Sequence, residues 1–186
     1  LQGLVQRGLQ GVRLIISDAH AGLRAARQAV FGGIPWQRCQ FHLQQNAQAY
    51  VPRKSMLREV AQDIRTIFNA PDRATAEAWL AQTVKKYETK ASRLADWMET
   101  NLPEGLTVFS FPRSHQRRIR TANLLERLSR EIKRRTRVVG IFPNEAACLR
   151  LTSAFLMEKS EAWIIGRIYL NFEGAEEGMS SPSPSS

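Results

Sequence analysis

The stretch VRLIISDAHAGLRAARQAVFGGIPWQRCQF, residues 12–41, constrains the fold more than any other part of the chain. Residues 12–18 are mostly apolar, too short for a helix, and end in the polar pair Ser17-Asp18, which predicts a buried strand. The next segment, AHAGLRAARQAVF, puts Leu23, Ala26 and Val30 on one stripe at helical spacing. IPWQRCQF, residues 34–41, is a shorter second strand. Strand, helix and strand in this order predict an α/β unit with a parallel pair, because parallel strands need a crossover between them.

Beyond these strands the chain has mostly helical periodicity. Met56, Val60, Ile64 and Ile67 form one stripe, Ala76, Leu80, Val84 and Tyr87 a second, and Leu94, Trp97 and Met98 a third. Pro71 stands just ahead of Asp72, a capping residue type, and Pro103 is a breaker. TVFSF at 107–111 reads as a strand or an extended linker, 119–137 as one long helix, and Asn144 as the cap of a helix through about residue 159. From Glu173 onward, EGAEEGMSSPSPSS has nothing to pack and is expected to be disordered.

A chain of 186 residues with 43% hydrophobic and 24% charged content can bury one ordinary core. No apolar run approaches the roughly 20 residues needed to span a bilayer, and the start, LQGLVQRGLQG, lacks the layout of a signal peptide. Cys39 and Cys148 make no disulfide framework, so reduced thiols in a cytoplasmic setting are expected. The first residue is Leu1 rather than methionine, which reads as a fragment.

Charge supplies the functional lead. The net charge is +10, and 21 of the 27 basic residues are arginine. Residues 113–137 hold ten basic side chains against Glu126 and Glu131 alone. A concentrated block of guanidinium groups suits phosphate, which it grips bidentately. Arg117, Arg118, Arg120, Arg127, Arg130, Lys133, Arg134, Arg135 and Arg137 are the candidate contacts to a nucleic-acid backbone.

Two carboxylates stand out. At 100° per residue, Arg130, Lys133 and Arg137 fall within about 40° of Glu126, while Leu125, Leu128 and Ile132 lie between about 200° and 260° from it. Glu126 therefore shares a cationic face pointing away from the core, either as a surface ion-pair partner or as a metal ligand. Asp18, directly after the first strand, is either a helix N-cap or a ligand at the carboxyl end of a parallel strand. Brought together, two carboxylates would suit Mg²⁺ or Mn²⁺, and two such ions about 4 Å apart drive phosphodiester chemistry. Cys39-x-x-His42 invites a zinc reading, but the other candidates (Cys148, His20 and His115) are scattered and make no second pair. A core cysteine and a partly buried, hydrogen-bonded histidine are the preferred reading.

SDAHAGL (17–23), WQRCQFHLQQNA (36–47) and TANLLERLSREIKRRTRVVGIFPNEAACLRL (121–151) together resemble the mutator-type transposases of bacterial insertion sequences, in the order found there. The resemblance runs from about residue 1 to about 172. It implies a ribonuclease H-like fold with a DDE triad and two divalent ions, Mg²⁺ or Mn²⁺. On that resemblance Asp18 matches the second aspartate and Glu126 the glutamate, both catalytic metal ligands. Cys39, His42 and Lys133 match supporting motif positions. The fold class expected is α/β: a partial ribonuclease H-like domain over 1–172, with an all-helical insertion at about 43–105 and C-terminal helices. The partners implied are double-stranded DNA, at element ends and target sites, and a second copy of the chain, with no membrane and a location at the bacterial nucleoid.

Departures from that pattern fall at Gln116, at Thr121-Ala122, and at Leu124 and Ser129. Residues 1–17 contain no acidic residue to serve as a first aspartate. The reading is thus of a truncated transposase, with a non-catalytic DNA-binding remnant and a standalone metal nuclease as rivals.

Overall fold

The computed structural model describes residues 1–165, with side chains through Trp163. The expected disordered tail at 173–186 lies outside the described residues. The chain divides into two compact units, Leu1–Thr121 and Ala122 onward.

The first unit opens with a short helix, α1 (Gln2–Gln6), and then β1 (Ile15–Ser17), α2 (Ala21–Phe31) and β2 (Trp36–Arg38). The strands pair in parallel, Ile15 with Trp36, Ile16 with Gln37 and Ser17 with Arg38, as the strand–helix–strand order predicts. The strand over 12–18 contracts to three half-buried residues. Among the described residues β1 has β2 as its one strand neighbour, so its other edge has no ladder partner there. The stripe on α2 is likewise only partly covered, and Leu23 remains exposed. The observed class is mostly helical with a small two-stranded sheet.

The core lies in the helical stretch. After β2 come α3 (Gln40–Ala47), α4 (Leu57–Phe68), α5 (Arg73–Tyr87) and α6 (Ser92–Asn101). Val60, Ile64 and Ile67 of α4 and Ala76, Leu80 and Tyr87 of α5 pack with Leu94, Trp97 and Met98 of α6 around Leu43 of α3. The three sequence stripes are therefore inward faces, with Met56 and Val84 at their margins. Asp72 caps α5 by accepting the Thr75 N–H at 2.8 Å, and that bond holds its carboxyl below the usual carboxylate range. Behind the core, Asp63 accepts from the Tyr87 hydroxyl at 2.7 Å and from Lys86 at 2.6 Å. These bonds to Asp63, with a further one to Glu59, push the Lys86 ammonium well above its ordinary range.

Downstream, one expectation is corrected and one shifts at its start. TVFSF is no strand: Leu102–Gly105 and Thr107–Ser110 are consecutive 3₁₀ turns. The Val108 N–H is taken by the Gln37 side chain at 2.7 Å, and the Thr107 hydroxyl donates to the Trp36 carbonyl at 2.6 Å, so this backbone is committed to β2 rather than to a ladder. The helix expected over 119–137 is α8 (Asn123–Val139), which starts four residues later than expected, and a separate short helix, α7 (Arg113–Ile119), precedes it. The break falls at Arg120, whose carbonyl accepts the Gln40 N–H at 3.0 Å and whose guanidinium donates to Asn69 at 2.7 Å. Both bonds hold the chain against the first unit at the residue where a continuous helix would leave it.

The second unit is α8 and α9 (Glu145–Ile165). Gly140 ends α8 at φ +74°, a conformation that glycine adopts without steric cost. Asn144 caps α9 as expected, accepting the Ala147 N–H at 2.8 Å.

Gly105 sits where the 3₁₀ turn closes on the core. A Cβ there would meet Leu43 Cδ1 at 2.6 Å and Phe68 Cε1 at 3.1 Å, and Leu43 is fully buried with no room to yield. Gly105→Ala is expected to destabilise the chain by about 1–3 kcal/mol through overpacking. The readout is the midpoint of urea unfolding; an unchanged midpoint would show that the core gives way there.

Candidate functional site

The carboxyl ends of β1 and β2 lie side by side, because the Cys39 N–H donates to the Ser17 carbonyl at 2.9 Å. Asp18 follows β1 directly and Cys39 follows β2 directly. Cys39 is also the N-cap residue of α3, so His42, three residues on, comes round one helical turn later on the same side. A carboxylate oxygen of Asp18, the Cys39 sulfur and a ring nitrogen of His42 lie within 4.8 Å of one another. His42 Nδ1 pairs directly with Asp18 Oδ1.

This geometry removes one of the sequence alternatives. Asp18 is not the cap of α2; that position belongs to His20, whose side chain makes no capping bond. Cys39 is fully buried, as expected of a core cysteine, and both cysteines are free thiols. The sequence reading missed that Asp18 joins the C-x-x-H pair. The signal was available in the pairing register, which sets the residues after two parallel strands beside each other.

Several buried polar contacts hold β2 in place beneath these residues. Gln37 is fully buried and donates to the Gly105 carbonyl at 2.8 Å and to the Arg38 carbonyl at 2.8 Å, while its Oε1 accepts from Val108. Gln40 donates to the same Gly105 carbonyl at 2.8 Å. Arg38, also buried, reaches Asn101 at 2.8 Å and Glu104 at 2.9 Å. Arg24 of α2 meets Glu104 at 2.7 Å, and the guanidinium groups of Arg24 and Arg27 each lie 5.0 Å from the Trp36 ring centre.

Glu126 belongs to the second unit, in the first turn of α8, where a carboxylate is favoured by the unpaired N–H groups of a helix start. It is half-buried rather than fully turned to solvent. Arg130, Lys133 and Arg137, expected to share its face, are exposed, as are Arg127 and Arg134. The apolar side of α8 is corrected at Leu125, which is 64% exposed. Packing by α9 falls about two turns further along, where Ile132, Arg135 and Thr136 meet Leu151, Thr152 and Phe155.

The basic positions thus separate by environment. Arg135 is half-buried, 4.3 Å from the Phe155 ring centre, and 3.0 Å from Glu131. Arg134 makes two bonds to Glu131, at 2.7 and 2.8 Å. Arg134 first and Arg135 second hold the Glu131 carboxyl down at about 2. A lowered folded value means these pairs are intact above the ordinary carboxylate range and are lost as pH falls toward about 2. On α7, Arg117 and Arg118 are exposed, whereas burial lowers the basicity of Arg120, which is already bonded to Asn69.

Residues 1–166 match the family described as Transposase, Mutator family. The chain is 55% identical over 172 residues to the transposase for insertion sequence element IS406 of Burkholderia multivorans, covering 92% of this chain and 44% of that one. It is 41% identical over 171 residues to the transposase for ISRM5 of Rhizobium meliloti, covering 92% and 43%. It is 34% identical over 173 residues to the transposase for IS256 in transposon Tn4001 of Staphylococcus aureus, covering 91% and 44%. The chain spans less than half the length of these relatives.

Gln37→Leu tests what positions the site. It preserves bulk but removes the Gln37 bonds and strips the buried Val108 N–H of its acceptor. The expected cost is about 2–4 kcal/mol, measured by guanidinium unfolding. Parental stability would mean that β2 is held by other contacts.

Proposed function

This chain belongs to the Mutator family of transposases, and from that premise we propose that it is the part of a DNA transposase that grips the DNA backbone and contributes two of its catalytic carboxylates. The observation that carries the reading is the exposed cationic side of α8, with Arg127, Arg130, Lys133 and Arg137 facing solvent on one helix. Phosphate contacts of this kind are independent of base sequence and set register on the duplex. In the whole transposase, Asp18 and Glu126 would be the two carboxylates nearest the scissile phosphate. The parallel pair with Asp18 at the carboxyl end of β1 supports a partial ribonuclease H-like arrangement. The partners are double-stranded DNA at element ends and target sites and a second transposase copy, and the setting is the bacterial nucleoid. Among the described residues no helix is long and apolar enough to cross a membrane.

The family resemblance implies Mg²⁺ or Mn²⁺, which select oxygen donors. Within the first unit the groups gathered at Asp18 are a thiol and an imidazole, with no second carboxylate in the cluster. That corner by itself lacks the set of oxygen donors a hard ion prefers. The same observation favours a second reading for this chain taken alone: a DNA-binding element that cleaves nothing.

Binding tests the phosphate reading. Neutralising Arg130, Lys133 and Arg137 to Gln should weaken binding to every duplex and lower the slope of log K against log salt by about 2–3. Glu131→Gln, which releases Arg134 and Arg135, should tighten binding and steepen that slope. A slope unmoved by the triple variant rules out these side chains as phosphate contacts.

Strand nicking in Mg²⁺ or Mn²⁺ separates the two readings. The chain alone is expected to bind DNA without cutting it. When supplied with the remaining segments of a relative, it should nick, and Glu126→Ala should abolish nicking with binding intact. Loss of binding in that variant would contradict the assigned role, and nicking by the chain alone would overturn the second reading.

A further inference from the structure

We propose that Asp18, Cys39 and His42 form a binding site for one thiophilic divalent cation of the zinc type. Three different donors, one oxygen, one sulfur and one nitrogen, lie within 4.8 Å of one another, from the residues that follow β1 and β2 and from the first turn of α3. Magnesium and calcium take oxygen ligands, whereas Zn²⁺ and Co²⁺ accept all three donor types. Three protein ligands leave the fourth tetrahedral position open to water or an external donor.

The dimensions are compatible. Bonds of about 2.0–2.3 Å put neighbouring donors of a tetrahedral zinc about 3.5 Å apart, so the cluster must tighten by little more than an ångström at its widest. Asp18 can supply that movement, because it is the exposed member, whereas Cys39 is buried and His42 half-buried. The same gradient opens the site to solvent on the carboxylate side. Without a cation, Asp18 is paired with His42; a cation replaces that pairing by bonding both. Cys39 caps α3, so a metal-bound thiolate lies at the positive end of that helix. A cation held here occupies the Asp18 carboxylate and competes with any hard ion that would use it.

Cobalt titration of the whole chain tests this directly. Co²⁺ should raise a sulfur-to-cobalt charge-transfer absorption in the near ultraviolet and strong visible bands of four-coordinate cobalt. Both should saturate at one ion per chain, vanish on adding Zn²⁺, and survive excess Mg²⁺. Cys39→Ser should remove the charge-transfer band, and Cys148→Ser should not. Asp18→Asn, at an exposed position, should weaken Co²⁺ binding by more than about tenfold, as should His42→Gln. Absence of the band in the parent, or its persistence in Cys39→Ser, overturns the site. If Cys39→Ser fails to fold by circular dichroism, unchanged cobalt affinity in both Asp18→Asn and His42→Gln overturns it instead. Salt-dependent DNA binding is read separately, so either proposal can fail without the other.

Discussion

The side-chain amide of Gln37 is the interaction on which the first unit depends. A two-stranded sheet of three residues per strand has too little ladder to stand alone. Gln37 lies in the middle of β2, is fully buried, and spends its amide on the Gly105 and Arg38 carbonyls and on the Val108 N–H. The bonds to Gly105 and Val108 span 68 and 71 residues of chain and fasten the sheet to the turn that closes the helical core. An apolar residue at this position would pack as well but would satisfy none of those backbone groups. The register of β2 then sets Cys39 beside Ser17, and with it the whole Asp18 corner.

The second unit is governed by a different constraint, the division of one helix between packing and charge. α8 has no fully buried residue. Glu131 draws Arg134 and Arg135 to itself, and Arg135 is also laid over Phe155 of α9, so one guanidinium serves the helix–helix contact and not the solvent face. What remains outward is a smaller cationic set than the sequence block suggests. On the proposed reading, phosphate affinity would follow that set rather than net charge, since a cation already paired with a carboxylate displaces few counterions from DNA.

Periodicity made the helical core legible: Val60, Ile64 and Ile67, or Leu94, Trp97 and Met98, recur at a spacing that leaves a helix no other way to bury them. The parallel pair was legible for a similar reason, since an apolar run, a helix and a second short run admit few arrangements. The turn at 107–110 was not. TVFSF has strand composition, and only the Gln37 amide and the Trp36 carbonyl, far away in sequence, divert its backbone into 3₁₀ turns. The break at Arg120 was hidden likewise, because it rests on tertiary bonds to Gln40 and Asn69. Leu125 shows the limit of a helical wheel, which gives direction around the axis but not how far along it a neighbour extends.

Asp18 shows why a sequence can mark a candidate without giving its surroundings. Its place after an apolar strand marks it as available for chemistry, but a strand end says nothing about which atoms stand opposite. That depends on the register of the next strand and on the phase of the helix after it. Among the described residues of the first unit, those two factors bring a sulfur and a nitrogen to the Asp18 side chain. Hardness of the donors, rather than their number, then determines which cation the corner prefers. A partner carboxylate would have to displace His42 from Asp18 before a hard ion could hold its place there.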